Sequence, residues 1–295
     1  MAKLVFYIID VFAEEKFAGN QLAVYRDAGM LSSEEMQKIA KEMHFSETTF
    51  ILSEKQRDGG YDVRIFSPEK EMPFAGHPTL GTAFAIQQEI IKQEVDKVVL
   101  NLKVGQIPVS FNYKGNRPHT LFMKQVPPTF GRTVDPKTVS DVLSINTDDV
   151  DARFPVEEVS TGLPFLIVPL KTLDAVKKAR TNRDEYFKLI ERLDAKAILL
   201  FCPETYSEDD DLNVRMFGDY FGITEDPASG SANGCLAGYL VKHRFFGKDK
   251  IDLRVEQGYE IGRPSLLLLK AENKPRRIRV LVGGRAIIVA KGELV

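Results

Sequence analysis

One stretch of this chain occurs twice, imperfectly, and that repetition limits the folds open to it. VRIFSPEKEMPFAGHPTLGTAFAI, Val63 to Ile86, returns as VRMFGDYFGITEDPASGSANGCLAGYL, Val214 to Leu240. Each copy reads as a strand, a turn, a Gly-containing switch and a helix of small apolar residues. The copies lie too far apart for a solenoid repeat, so the duplicated unit is a domain. At 295 residues two domains are expected, each able to bury its own core. A cleft between two similar domains is the expected site, and positions where the halves differ are the candidates for chemistry.

The first half reads as strands over Leu4–Phe12 and Leu22–Tyr25 around a Gly19-Asn20 turn, then a helix opened by the Ser32/Glu35 capping box. Strands follow at Thr48–Leu52 and Tyr61–Phe66. A helix follows His77-Pro78, and Val98–Val104 pairs with Ile107–Phe111 in a hairpin across Gly105-Gln106. After a strand at Thr120–Gln125, Pro127-Pro128 and Gly131 mark the expected linker. The second half repeats the order: strands at Val156–Thr161 and Phe165–Val168, a helix at Tyr186–Leu193, then strands at Ala197–Phe201 and Leu212–Phe217. Gln257-Gly258 stands where Gly105 stood. The helices from Thr79 and from Ala232 have no charged face and must therefore be buried. The expected fold is α+β, with two similar duplicated domains, each a β-barrel-like sheet wrapped around a central buried helix. Domain boundaries fall at 1–128 and 129–284. The last run, 285–295, has no clear counterpart in the first half, and pairing back onto the first domain is one place for it.

Composition excludes several function classes. With 28% charged residues and a formal charge of −2, nothing points to nucleic acid. The KPRRIR run, Lys274 to Arg279, lies between two strand-like runs and reads as a solvated hairpin turn. No apolar run is long enough to span a membrane, and the start of the chain has no signal-peptide pattern. A cytoplasmic location is the default. The two cysteines, Cys202 and Cys235, lie in apolar surroundings without metal-ligand spacing, so neither a disulfide framework nor a metal site is expected. PASGSANG lacks the Lys of a P-loop and the spacing of a dinucleotide fingerprint, and no nucleotide cofactor is expected.

Both buried helices begin at a Gly beside a polar residue, Gly76-His77 and Gly230-Ser231. The first N–H groups of a helix carry partial positive charge, and glycine admits a ligand close to them. Each start is a candidate carboxylate site, and a small acidic metabolite is the ligand class such a pair favours. Aligning SETTFIL (Ser46–Leu52) with AKAILLF (Ala195–Phe201) leaves Glu47 with no acidic counterpart. Partial burial ahead of a strand could raise its pKa and suit it to proton transfer. From these features alone Glu47 also reads as a surface carboxylate, His77 as a helix cap or core histidine, and Asp226 as a capping acid.

At these residues the chain resembles the phenazine-biosynthesis isomerase-like (PhzF-like) family, a branch of the diaminopimelate epimerase fold. The likeness runs through DVFAEEKFAGNQLAV, FSETTFI, VRIFSP, PFAGHPTLGTA, VRMF, EDPASGSANG and EQGYEIGRPS, nearly the whole chain. It implies two barrel domains, usually a homodimer, and a catalytic glutamate matching Glu47. Substrate contacts carry over to His77, Asp226 and Ser231, with Asn20 retained in the Gly-Asn turn. Gln21 departs from the family, which usually has Pro there. The epimerases of this fold place a cysteine at each helix start and use the pair as opposed bases. Neither helix start carries one here, since Cys235 falls inside its helix, where it packs as a small hydrophobe.

The expected function is a cofactor-independent isomerase acting on a small unsaturated or cyclic carboxylate. Glu47 moves a proton between carbons, Gly76 and Gly230 hold carboxylate and enolate charge, His77 and Asp226 orient the substrate or assist in proton movement as further catalytic residues, and Ser231 donates to a carboxylate. The resemblance supplies one substrate type, a dihydro-hydroxyanthranilate. Two alternatives stay open: an epimerase with Glu47 and His77 on opposite faces of one carbon, and a non-catalytic binder of an acidic metabolite.

Overall fold

A computed structural model describes residues 4–275 and 277–295. The chain divides into two compact units, Met1–Met123 with Gly283–Val295, and Lys124–Val282.

In the first unit, β1 (Leu4–Val11) and β2 (Asn20–Tyr25) form an antiparallel hairpin. The helix α1 (Ser33–Met43) follows, opened by reciprocal Ser32/Glu35 capping. Next come β3 (Thr48–Ile51), β4 (Tyr61–Phe66), the short β5 (Glu71–Met72), α2 (Gly76–Ala85), β6 (Lys97–Leu102), β7 (Gly105–Lys114) and β8 (Arg117–Lys124). β2 pairs parallel with β3, β3 antiparallel with β4, and β6 with β7 as the expected hairpin. Every residue of α2 is buried. The helix begins three residues before Thr79, so Pro78 falls in its first turn, where a missing N–H costs no internal bond. α2 lies so close to the β1–β2 hairpin that a Cβ on Gly81 would stand 2.6 Å from Leu22 and 2.8 Å from Val11. Its Thr82 hydroxyl pairs with that of Thr49 at 2.8 Å, which satisfies two buried polar groups.

The second unit opens with β9 (Thr129–Val134), so Gly131 lies within a strand and not in a linker. α3 (Pro136–Leu143) comes next, then β10 (Val156–Ser160), β11 (Pro164–Pro169), α4 (Leu173–Lys178), α5 (Arg183–Ile190), β12 (Ile198–Cys202) and β13 (Leu212–Phe217). The buried helix α6 (Gly230–Lys242), β14 (Lys250–Gln257), β15 (Ser265–Lys274) and β16 (Arg277–Gly284) follow. The ladder β10–β11–β12–β13–β14–β15 repeats the alternation of antiparallel and parallel pairing seen in the first unit. α6 packs on it, with Gly238 against the ring of Pro128 and Gly234 against Gln125. α3, α4 and α5 add an apolar layer built on Val139, Val176, Tyr186 and Phe217. The Lys274–Arg279 run joins the end of β15 to the start of β16 through Arg276, which lies outside the described residues.

The last strand, β17 (Ala286–Leu294), pairs antiparallel with β1 from Leu4↔Leu294 to Val11↔Ala286. The run without a counterpart in the first half thus completes the first unit's sheet. No helix among the described residues is long and apolar enough to cross a membrane.

Candidate active site

In the first unit the chain enters β3 through Glu47, whose side chain keeps 16% of its exposure. β3 runs beside β2, and α2 starts with His77 in its first turn. Two turns of backbone thereby bring Glu47 and His77 together: Oε2 of Glu47 lies 3.5 Å from Nε2 of His77. The imidazole is buried, and burial pushes its pKa down to about 3, while a hydrogen bond with the Gln21 backbone works the other way. Nε2 has no hydrogen-bond partner, so the bond to Gln21 falls on the other ring nitrogen. A bond that favours protonation is one in which Nδ1–H donates to the carbonyl. The neutral ring then presents the Nε2 lone pair toward Glu47.

Asn20 is buried at the start of β2, opposite Val11. The turn before it depends on Gly19, whose φ is +68° and whose missing Cβ would lie 2.4 Å from the Val11 carbonyl oxygen. A proline at position 21 is not needed to set this turn. At the start of α2 the N-cap residue is Ala75, and no side chain caps the first turn. The first turn also lacks acidic residues, so no neighbouring carboxylate on the helix competes there for an anion.

The second unit gathers Asp226, Gly230 and Ser231 in a different way. Asp226 is buried, and its N–H donates to the Met216 carbonyl at 3.0 Å. Ser229, not singled out from sequence, is the N-cap of α6 and accepts from the Ala232 N–H. Gln257, fully buried at the end of β14, ties the segment together. Its Nε2 donates to the Asp226 carbonyl at 2.8 Å, and its Oε1 accepts from the Ser229 N–H at 3.2 Å and from Asn233 Nδ2 at 2.9 Å. Gly258, with φ +79°, brings its backbone against Pro227, where a Cβ would stand 2.6 Å from the carbonyl oxygen. Ser231 remains half-buried. The usable sequence signals were Ser229 directly ahead of the small-residue helix and the EQG triplet.

Strand registers refine the comparison of the halves. Thr48 pairs with Phe66 and Ile198 with Phe217, and those phenylalanines are equivalent in VRIF and VRMF. The counterpart of Glu47 is therefore Ala197, one residue later than the sequence alignment placed it. Cys235 is buried inside α6, with Sγ 3.6 Å from Thr161 Oγ1, and burial pushes its thiol up to about 12. It is no base at neutral pH. Among the described residues no group of three or more His, Cys, Asp or Glu side chains could hold a metal ion.

The profile of the PhzC-PhzF family, described as phenazine biosynthesis-like protein, matches residues 9–292. The chain belongs to this family. It is 33% identical to the trans-2,3-dihydro-3-hydroxyanthranilate isomerase of Pseudomonas aeruginosa over 98% of both chains. The crystal structure of a PhzF-family phenazine biosynthesis protein from Bacillus anthracis superposes with a TM-score of 0.91 at 26% identity, covering 100% of both chains. A probable proline racemase from Agrobacterium radiobacter shares the fold, with a TM-score of 0.63 at 10% identity over 99% of this chain and 93% of that one. This PhzC-PhzF member is an isomerase with the two-barrel architecture of the epimerase-like fold.

Proposed function

We propose that this isomerase moves a proton between two carbons of a small unsaturated or cyclic carboxylate, without a cofactor, and that Glu47 is its general acid and base. The observation that carries the reading is the close, largely buried pair of Glu47 and His77 at the uncapped start of α2. Glu47 as carboxylate takes a proton from a carbon next to a conjugated system. The electron pair of the broken C–H bond spreads into that system as a dienolate. Glu47 then returns the proton to a different carbon, so nothing is gained or lost overall. Charge developing on the substrate is met by first-turn amides at Gly76, and each well-aimed donor is worth about 3 kcal/mol in the transition state. His77, neutral because buried, accepts from a substrate hydroxyl or amine. Asn20, Asp226 and Ser231 supply further substrate contacts, a role that rests on the family resemblance.

The substrate proposed for testing is trans-2,3-dihydro-3-hydroxyanthranilate, taken from the name of the Pseudomonas relative. Incubation in deuterated water, followed by NMR, should show isomerisation with deuterium at carbon. Glu47→Gln should abolish both while leaving the circular dichroism spectrum unchanged. Retention of exchange in that variant removes Glu47 from its role. Activity after exhaustive dialysis against a chelator tests cofactor independence. A cytoplasmic homodimer belongs to the same reading, and sedimentation equilibrium tests its stoichiometry.

The alternative epimerisation by Glu47 and His77 requires the two groups on opposite faces of one carbon. Their 3.5 Å separation supports the proton shift over this alternative, since it leaves no room for a carbon between them.

A further inference from the structure

The second unit holds a cavity of about 360 Å³ that neither Asp226, Gly230 nor Ser231 lines. It opens where the connection between α4 and α5 meets the end of β13. Three carboxylates line it, Asp219, Glu225 and Glu260, with side chains only 11%, 7% and 9% exposed. One buried cation faces them, Arg215, at 3%, and two more arginines, Arg180 and Arg183, line the cavity from positions that are not buried.

That cation is already committed. Arg215 clasps Glu225 through Nε at 2.9 Å and Nη2 at 2.7 Å, and its Nη1 donates to the carbonyls of Val176 and Ala179. Glu260 approaches its Nε only to 3.9 Å, and Asp219 has only the exposed Arg183 at the same distance. Oε1 of Glu260 accepts from the Tyr206 hydroxyl at 2.9 Å. Burial, and then Glu260 itself, push that phenol's pKa upward, so it stays a donor. What remains is Oε2 of Glu260, Oδ2 of Asp219 and Oγ1 of Thr181, all buried and all without a hydrogen-bond partner. Three acceptors and more buried negative than positive charge line one space. Water offers donors but no charge, and a buried carboxylate whose nearest cation stands 3.9 Å away, without a hydrogen bond, is costly.

We infer that this cavity binds a small primary ammonium, whose N–H groups donate to Glu260, Asp219 and Thr181. The site is separate from the proposed proton transfer and needs no turnover to be detected.

The test titrates the intact protein with ethylammonium chloride, followed by chemical-shift changes in the two-dimensional amide spectrum, with tetramethylammonium at matched ionic strength as a control. Expected are saturable shifts at the amides of residues 219–225 and 259–261, with none from tetramethylammonium, which has the charge but no N–H. Glu260→Gln keeps an acceptor for Tyr206 and should weaken the apparent affinity at least tenfold. Should that variant fail to fold, Asp219→Asn serves the same purpose. Shifts that rise linearly without saturating, equal binding of tetramethylammonium, or unchanged affinity in the carboxamide variants each overturn the assignment.

Discussion

His77 makes a prediction whose sign is decided by the structure. An imidazole beside a carboxylate, as in an ion pair, would have a raised pKa and would stabilise the fold as pH falls through neutrality. An imidazole buried and held neutral does the opposite. Its pKa drops from the ordinary 6.5 to about 3, so below pH 6.5 the unfolded chain binds a proton that the folded chain refuses. Stability is intact above pH 6.5 and is lost as pH falls toward 3. Each pKa unit corresponds to about 1.4 kcal/mol, so lowering the pH from 8 to 4.5 removes about 2.7 kcal/mol through this one side chain. The measurement is urea unfolding of the wild type and of His77→Gln across that range, followed by circular dichroism. Every other titrating group is common to both proteins, so the difference between the two curves isolates residue 77. The variant should gain on the wild type by 2–3 kcal/mol at the acid end, an estimate of order of magnitude. Parallel curves refute burial as the dominant influence, and a wild type that gains on the variant as pH falls establishes the ion pair instead.

Two further outcomes follow from the second unit. Gln257→Leu strands the Asp226 carbonyl and the Ser229 N–H, and leaves the Asn233 amide only its bond to the Ser229 carbonyl, at about 1–3 kcal/mol for each buried polar group left unmet. The fall in urea midpoint should exceed that of Gln106→Leu, whose amide lies on an exposed hairpin; equal falls contradict the strut. Cys235→Ala should leave isomerisation unchanged within a factor of about two, and the native thiol should resist an aromatic disulfide reagent, because burial and a pKa of about 12 deny it thiolate character.

The sequence carried the duplication because the pattern behind it is strong. Two all-apolar helices can only be buried, and VRIF and VRMF mark equivalent strands before them. Glu47, His77 and Asp226 stood out for a similar reason, as polar residues in otherwise apolar or small-residue surroundings. What a sequence pattern does not show is pairing across long separations. Gln257 touches residues 24 to 31 positions away, and nothing in a polar residue at a strand end says which carbonyl it will reach. Gly131 looked like a linker beside two prolines, yet it occupies a strand where a Cβ would stand 3.1 Å from Glu158. α3, by contrast, carries a local signal: Asp135 caps it and Pro136 opens it, the ordinary start of a helix. The alignment slip at Glu47 has the same origin, since ladder register and not local similarity fixes which residues correspond.

That register also explains why the second half could not keep an acid where the first has Glu47. Ala197 occupies the equivalent place at 1% exposure, and its carbonyl accepts from the Leu166 N–H at 2.9 Å. The preceding residue, Lys196, spends its ammonium on the carbonyls of Ile190, the last residue of α5, and of Leu193. A carboxyl placed at 197 would be driven into the closed interior at the start of β12, where the charged form is heavily disfavoured. Ala197→Glu should therefore cost about 3 kcal/mol or more and supply no second base at neutral pH. Urea unfolding reads the cost, and solvent-deuterium exchange in an Ala197→Glu, Glu47→Gln double variant reads the chemistry. Wild-type stability, or exchange restored in the double variant, would mean that the two strand starts are interchangeable. The difference in burial between 47 and 197 argues that they are not: duplication supplied two similar frames, and only one left its carboxyl position partly open to a ligand.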